Sequence, residues 1–179
     1  PREVSVIGLG LGITLRSTER HPTVERLRLI ELTPEMVQAH RKLPDLADNV
    51  LSSRKLALRI DDGRNFMAMT DETFDMVTAD PIHPRITGVG YLYTREYYEL
   101  LQRRLRPGGV VVQWMPMYQI SPRSFDIAFR TFAAVFPNAS FWYVRGHGLF
   151  VATVDTFSFD YQVLAQRFAD PKVAADFAS

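Results

Sequence analysis

Short runs of β-branched and apolar residues alternate with helix-patterned stretches along the whole chain, and that alternation constrains the fold more than any other feature. Two strands separated by a helix are joined by a crossover long enough for parallel pairing, so the pattern predicts βαβ units. The runs at 4–7, 27–30, 56–60, 74–78, 109–114, 139–144 and 149–153 read as strands. Most are continuously apolar, as strands covered on both faces should be. Helical patterning falls at 13–20, 34–41, 64–69, 94–105 and 121–135, then at 160–168 and again from 171. Thr33-Pro34 and Ser121-Pro122 each place a capping residue before a proline at the first helical position. Arg106-Pro107-Gly108-Gly109 ends the long helix and turns the chain into the fifth strand. Segment 42–55 is the least periodic and reads as loop or irregular helix. The last two strands, Phe141-Trp142-Tyr143-Val144 and Leu149-Phe150-Val151-Ala152, are separated only by Arg145-Gly146-His147-Gly148. So short a link joins antiparallel strands and cannot join parallel ones. The predicted architecture is an open α/β sheet of seven mostly parallel strands, with a terminal antiparallel hairpin and helices on both faces.

A chain of 179 residues fits one domain with a sizeable core. Its 46% hydrophobic and 23% charged residues exclude a disordered or polyelectrolyte chain. Lys+Arg 21 against Asp+Glu 20 leaves a net charge of +1, without the clustered basic face that phosphate binding requires, so no nucleic-acid partner is expected. The absence of cysteine excludes a disulfide scaffold and a thiol nucleophile. No apolar run approaches the ~18 residues of a membrane helix and no signal segment opens the chain. A soluble, cytoplasmic protein making no direct membrane contact is the expectation. Pro1 runs straight into a strand and Ser179 stops inside a helical pattern, so an excised or incomplete domain is expected, with the soluble part of a membrane protein as one form of it.

Three motifs could carry chemistry. Gly8-Leu9-Gly10-Leu11-Gly12 follows the first strand and precedes a helix, where glycines allow a tight turn and close approach to a ligand at free helix amides. Alone it is equally a tight turn, but Glu31 ends the second strand roughly 20 residues on, where a carboxylate accepts from ribose hydroxyls. The other reading of Glu31 is an exposed acid ahead of the Thr33-Pro34 helix start. Asp61-Asp62-Gly63-Arg64-Asn65-Phe66 closes the third strand with an acid able to accept from an exocyclic amine, or is a plain Asp-Gly turn. Together these describe an adenosine pocket across the carboxyl ends of neighbouring strands. Phe74 to Ala79 runs into Asp80-Pro81-Ile82-His83-Pro84, a proline-stiffened loop. Asp80 could accept a proton from an attacking amine or hold a cation, or could simply stop the strand. His83 is a lone histidine with no ligand-spaced partner, so no metal is expected.

These residues in this order resemble a known family. Val-Ile-Gly-x-Gly-x-Gly, Leu-Ile-Glu31-Leu, Asp62-Gly63-Arg64-Asn65-Phe66, Phe74-Asp75-x-Val-x-x-Asp80, Leu92-Tyr93-Thr94-Arg95-Glu96-Tyr97-Tyr98 and Leu105-x-Pro-Gly-Gly-Val-x-x-Gln113 look like the spermidine synthase (polyamine aminopropyltransferase) family over about residues 3 to 155. The likeness is to its bacterial spermidine synthase-like branch, often fused to membrane-spanning segments. It implies the Rossmann-like class I fold of S-adenosylmethionine-dependent methyltransferases. It also implies aminopropyl transfer from decarboxylated S-adenosylmethionine to a diamine such as putrescine, releasing methylthioadenosine. Matching positions make Gly8, Gly10 and Gly12 the cofactor loop with Gly63 beside Asp62, Glu31 the ribose ligand, Asp62 the adenine ligand and Asp80 the acid that deprotonates or orients the amine. His83, Tyr91 to Tyr98 and Gln113 would line or support the acceptor pocket. The expected partners are a small-molecule amine and, as a candidate assembly, a second copy in a homodimer. By this resemblance two family acids are replaced, one in the glycine loop by Leu11 and one three residues after Asp80 by His83, and a chain without the family's N-terminal β-rich domain is the expectation. Losing two carboxylates weakens the negative field that would hold a doubly charged diamine.

Two other functions fit the same pattern. One is a methyltransferase using intact S-adenosylmethionine, although Val6 stands where many methyltransferases carry an acid. The other is a non-enzymatic nucleoside-binding module. Phe141-Trp142-Tyr143 reads as an exposed aromatic cluster, which would support that module, or more simply as a buried end strand; Tyr97, Phe125, Phe129 and Phe132 fall at core spacing on their helices, and Arg95, Arg103, Arg104 and Arg106 are expected on a solvated face.

Overall fold

The sheet is organised around β1 (Glu3–Ile7), whose side chains alternate between its two faces. The computed structural model describes residues 1–43, 45–80, 83–144, 146–155 and 160–177. Strands β2 (Arg26–Glu31), β3 (Leu56–Ile60), β4 (Phe74–Ala79) and β5 (Leu105–Pro116) continue the parallel part. Strands β6 (Ser140–Val144) and β7 (His147–Thr153) form the antiparallel hairpin, and the order is β3-β2-β1-β4-β5-β7-β6. Chain direction reverses its march across the sheet between β1 and β4, the switch point beside which open α/β sheets bind ligands.

Helices cover both faces. On one, α1 (Ile13–Arg20) and α2 (Pro34–Lys42) bury Leu15 and Val37 against Val4, Val6, Leu27 and Leu29. On the other, α3 (Gly63–Met69), α4 (Arg95–Arg104) and α5 (Pro122–Val135) bury Met67, Tyr97, Leu101 and Phe132 against Ile7, Val77, Val111 and Phe150. Phe125 and Phe129 pack on that second core from its margin. Helices α6 (Tyr161–Phe168) and α7 (Pro171–Phe177) complete the described chain. Among the described residues no helix is long and apolar enough to cross a membrane.

Segment 46–52 is irregular helix, as its weak periodicity suggests: a 3-10 stretch in which Ala47, Asp48 and Asn49 take left-handed φ values of 52 to 53°. Other local expectations need correction. Thr33 makes no side-chain cap to α2; instead its N–H donates to Glu31. The β6 aromatics are not buried: Trp142 is 43% and Tyr143 63% exposed, because β6 is the edge strand and α5 meets it through Phe125 against Phe141. Arg106 is not merely solvated. Its guanidinium bridges Glu3 and Asp75 at 3.1 and 3.3 Å, joining β1, β4 and β5 at the amino edge. Although partial burial opposes it, the amides of Glu3 and Arg2 together with Arg106 hold the Asp75 carboxyl below its ordinary range. Arg104 likewise donates to the Met67 carbonyl, tying α4 to α3. Arg145 in the hairpin turn, and Pro81 and Ile82 after Asp80, lie outside the described residues.

Gly63, at the start of α3, packs where a Cβ would stand 2.5 Å from Cγ2 of Ile7. Ile7 is a β-branched core residue with a stiff χ1, so it cannot swing aside. Gly63→Ala is therefore expected to lose about 1–3 kcal/mol in urea unfolding through overpacking, despite the gain of about 1 kcal/mol that alanine offers a helix. In an Ile7→Ala background the penalty should shrink; equal penalties in both backgrounds would refute the contact.

Candidate active site

Parallel register brings the chemistry-bearing residues to one edge. Ile7 pairs with Ile30 and with Ala79, Ile30 with Arg59, and Ala79 with Gln113. The residues that follow, Gly8, Glu31, Asp61-Asp62 and Asp80, consequently leave adjacent strands at their carboxyl ends. Asp80 is anchored there by its N–H, which donates to the Ile7 carbonyl at 2.9 Å.

Gly8, Gly10 and Gly12 have φ values of 92, 50 and 77°, the left-handed region that favours glycine, and so turn the chain from β1 into α1. At Gly12 a Cβ would also collide with Ala47 at 2.7 Å and His40 at 2.9 Å. Glu31 is buried, and its carboxylate holds the loop: one oxygen accepts from the Leu9 N–H and the other from the Thr33 N–H, both at 2.8 Å. A carboxylate has about four acceptor positions, so both oxygens keep capacity for ribose hydroxyls. His40 of α2, which the motifs did not single out, supports the loop from below. Its Nε2–H donates to the Gly10 carbonyl at 2.8 Å, and the ring is buried. The detectable signal was its spacing from Val37, one helical turn along the buried face of α2.

At the end of β3, Asp62 caps α3 by accepting from the Asn65 N–H at 2.9 Å and is exposed. The Asn65 side chain bonds Asp61 instead and, with the Asp62 amide and Arg59, draws the Asp61 carboxyl below its ordinary range against slight burial. Tyr91 is 62% exposed with the Arg64 guanidinium 5.9 Å from its ring centre. It therefore stands over the α3 start, on the Asp62 side of the edge.

Asp80 is half-buried, and loss of water raises its carboxyl above the usual carboxylate range, opposed by the hydrogen bond from Thr14 at 3.1 Å. Thr14, in the first turn of α1, could not be assigned from sequence because only the fold brings it 66 positions along the chain to Asp80. Gln113, level with Ala79, is fully buried. Its Nε2 donates to the Trp114 carbonyl, and among the described residues its Oε1 has no hydrogen-bond partner. The Tyr93 hydroxyl donates to the same carbonyl, and burial followed by the nearby Asp80 charge raises its phenol.

His83 meets backbone through both ring nitrogens. Its Nδ1 accepts from the Arg85 N–H at 3.2 Å, so Nε2 carries the proton and donates to the Tyr118 carbonyl at 3.0 Å. Both nitrogens of this buried ring are committed to backbone. Beside that loop, a cleft of about 490 Å³ opens between Pro84-Arg85 and the start of α5 and is bordered by Tyr93. Among the described residues, no group of three or more His, Asp or Glu is placed to hold a metal.

A family model described as the spermine/spermidine synthase domain matches residues 1–145. Polyamine aminopropyltransferase 2 of Hyperthermus butylicus is 36% identical over 98% of this chain and 59% of its own length. The polyamine aminopropyltransferase of Aeropyrum pernix is 30% identical over 98% of this chain and 55% of its own. The chain thus spans little more than half the length of these two relatives. Among solved structures, a spermidine synthase in complex with the transition state analogue AdoDATO superposes with a TM-score of 0.77 at 23% identity, covering 98% of this chain and 70% of that one. Human methyltransferase-like protein 13 in complex with SAH gives 0.77 at 14%, covering 100% and 83%. At these identities the likeness is one of fold: Rossmann-like, of the class I methyltransferase type. With the family model spanning most of its length and relatives aligned along nearly all of it, the chain belongs to the spermine/spermidine synthase domain family.

Proposed function

We propose that this site transfers an aminopropyl group from decarboxylated S-adenosylmethionine to an amine acceptor, releasing methylthioadenosine. The observation that carries the reading is the convergence, at one sheet edge, of a glycine loop braced by Glu31 with a half-buried carboxylate, Asp80, on the neighbouring strand. The relatives named polyamine aminopropyltransferase support it. Intact S-adenosylmethionine is the alternative co-substrate.

In this reading Gly8, Gly10 and Gly12 let the backbone approach the nucleoside, Glu31 accepts from its ribose, and Asp62, beside Gly63, accepts from adenine. The acceptor nitrogen attacks the methylene next to the sulfonium. A C–N bond forms, the C–S bond breaks, and its electron pair stays on sulfur as a neutral thioether. Asp80 takes the proton released by the amine and passes it to water. Because the sulfonium is already an activated leaving group, alignment and that one proton transfer are what the protein supplies. In the same reading Gln113 and Tyr91 line or support the acceptor pocket, beside the backbone contacts that His83 makes with Arg85 and Tyr118.

Asp80→Asn should lower kcat by about 10²–10⁴-fold while methylthioadenosine affinity, read by calorimetry, stays within about threefold. The same variant tests the carboxyl's environment. Folding raises the Asp80 pKa, so the folded state holds the proton more tightly than the unfolded one, and ionisation near neutrality costs stability. Asp80→Asn is expected to raise Tm at pH 7 by up to about 3 °C, and the gain should vanish as pH falls below the ordinary value of 3.8. A gain that persists in acid would contradict the assignment.

Glu31→Ala removes the partner of two backbone amides and the ribose acceptor together. It should weaken methylthioadenosine binding by about 10–100-fold, as loss of hydrogen bonds to a charged group of about 1.5–3 kcal/mol implies. Tighter binding of intact S-adenosylmethionine than of the decarboxylated form, with no amine product, would turn the reading toward methyl transfer.

A further inference from the structure

A threonine inside a helix can return its hydroxyl proton to the carbonyl four residues back, and two in this chain do so. Thr18 donates to the Thr14 carbonyl and Thr131 to the Ile127 carbonyl, both at 2.7 Å. Thr14, half-buried in the first turn of α1, does not. The carbonyl four residues before it, that of Gly10, accepts from His40 at 2.8 Å, while the Thr14 hydroxyl donates across to Oδ2 of Asp80 at 3.1 Å.

Asp80 is thereby held at two points. Its N–H donates to the Ile7 carbonyl at 2.9 Å, which fixes the backbone, and the Thr14 hydroxyl fixes the side chain. An unheld carboxyl turns broadly about its last torsion, so the one side-chain anchor decides which oxygen faces which way. Ile7 precedes the Gly8–Gly12 loop and Thr14 follows it, so the loop and the carboxylate are fixed to the same piece of chain. Among the described residues Asp80 Oδ1 makes no hydrogen bond. Two other titratable side chains interact with the charge of Asp80: His147 on β7, whose Nδ1 accepts from the Trp114 indole N–H at 3.2 Å, and Tyr93, whose hydroxyl donates to the Trp114 carbonyl. Neither shares a hydrogen bond with it among the described residues.

We propose that Thr14 is the positioning residue of the base: its hydroxyl holds Asp80 Oδ2, so that Oδ1 is the oxygen presented to the acceptor nitrogen. This deepens the aminopropyl-transfer reading and rests on it. As the C–N bond forms and the C–S pair returns to sulfur, the proton of the amine passes to Oδ1. Thr14 keeps its own proton and goes on donating to Oδ2. A donor favours the charged form of an acid, so the same contact also keeps the carboxylate ionised against the loss of water that raises it.

Thr14→Val keeps volume and branching and deletes the hydroxyl, whereas Thr14→Ser keeps the hydroxyl and deletes the methyl. In the full chain loaded with methylthioadenosine, the Asp80 carboxyl is titrated by carbon NMR on isotope-labelled aspartate, its signal identified by its loss in Asp80→Asn. Thr14→Val should raise the midpoint by about 1 pH unit, as loss of one hydrogen bond to a charged group implies, and Thr14→Ser should restore it. With decarboxylated S-adenosylmethionine and putrescine or spermidine, Thr14→Val should lower kcat by about 10–100-fold while methylthioadenosine affinity stays within about threefold, and Thr14→Ser should recover most of the rate. A midpoint that Thr14→Val leaves in place overturns the inference, and normal transfer beside it leaves the aminopropyl reading standing. Equal effects of both variants on midpoint and rate also overturn it, since they mark a packing role. A midpoint moved by valine and restored by serine, in a wild type that transfers to neither amine, upholds Thr14 as the holder of Asp80 and overturns aminopropyl transfer.

Discussion

The buried carboxylate of Glu31 joins the loop after β1 to the loop after β2, and the geometry of the whole edge depends on that tie. Without it, the Leu9 and Thr33 amides would be left without an acceptor, and unpaired buried donors are costly. The Gly8–Gly12 loop could then take other turns, since three of its five residues are glycines with broad backbone freedom. His40 closes the loop from the opposite side through the Gly10 carbonyl. Two side chains from different elements thus convert a floppy sequence into one conformation, and the glycines at 8, 10 and 12 make that conformation sterically available.

Beyond the loop, position is set by the sheet. Parallel strands covered on both faces have little freedom of register, because a one-residue slip exchanges the two cores. Val4 and Val6 facing one cluster, with Ile7 facing the other, lock β1 between its neighbours and bring Asp80 and Glu31 to the same edge. The Arg106 bridge to Glu3 and Asp75 holds the opposite edge together. Rigid strands beneath and loops above is the arrangement from which a carboxylate such as Asp80 can be kept partly out of water.

Much of this was legible in the sequence for identifiable reasons. Strand runs at 4–7, 27–30, 56–60 and 74–78 are short, apolar and separated by helix-length segments, and in the structure they form strands with bounds shifted by at most one residue. The hairpin followed from the brevity of its connection. Legibility failed where a residue's surroundings come from distant chain. The β6 aromatics read as core because their composition is that of a buried strand, but their place at the sheet edge leaves Tyr143 and Trp142 exposed. Arg104 and Arg106 read as solvated from helix position alone, while their partners lie on α3, β1 and β4. His83 read as a lone histidine beside an acceptor pocket, and no local pattern shows that its two nitrogens meet Arg85 and Tyr118.

By itself the sequence determined the fold class, the edge at which the strands end and the residue types present there, because hydrophobic period, connection length and glycine placement are local properties. Tertiary structure alone decided which of those residues touch. It put Thr14 on Asp80, His40 under Gly10, and the Arg85 guanidinium by the Gln119 carbonyl. These are contacts between elements far apart in the chain, and they are set by packing of the two cores, which no local pattern encodes.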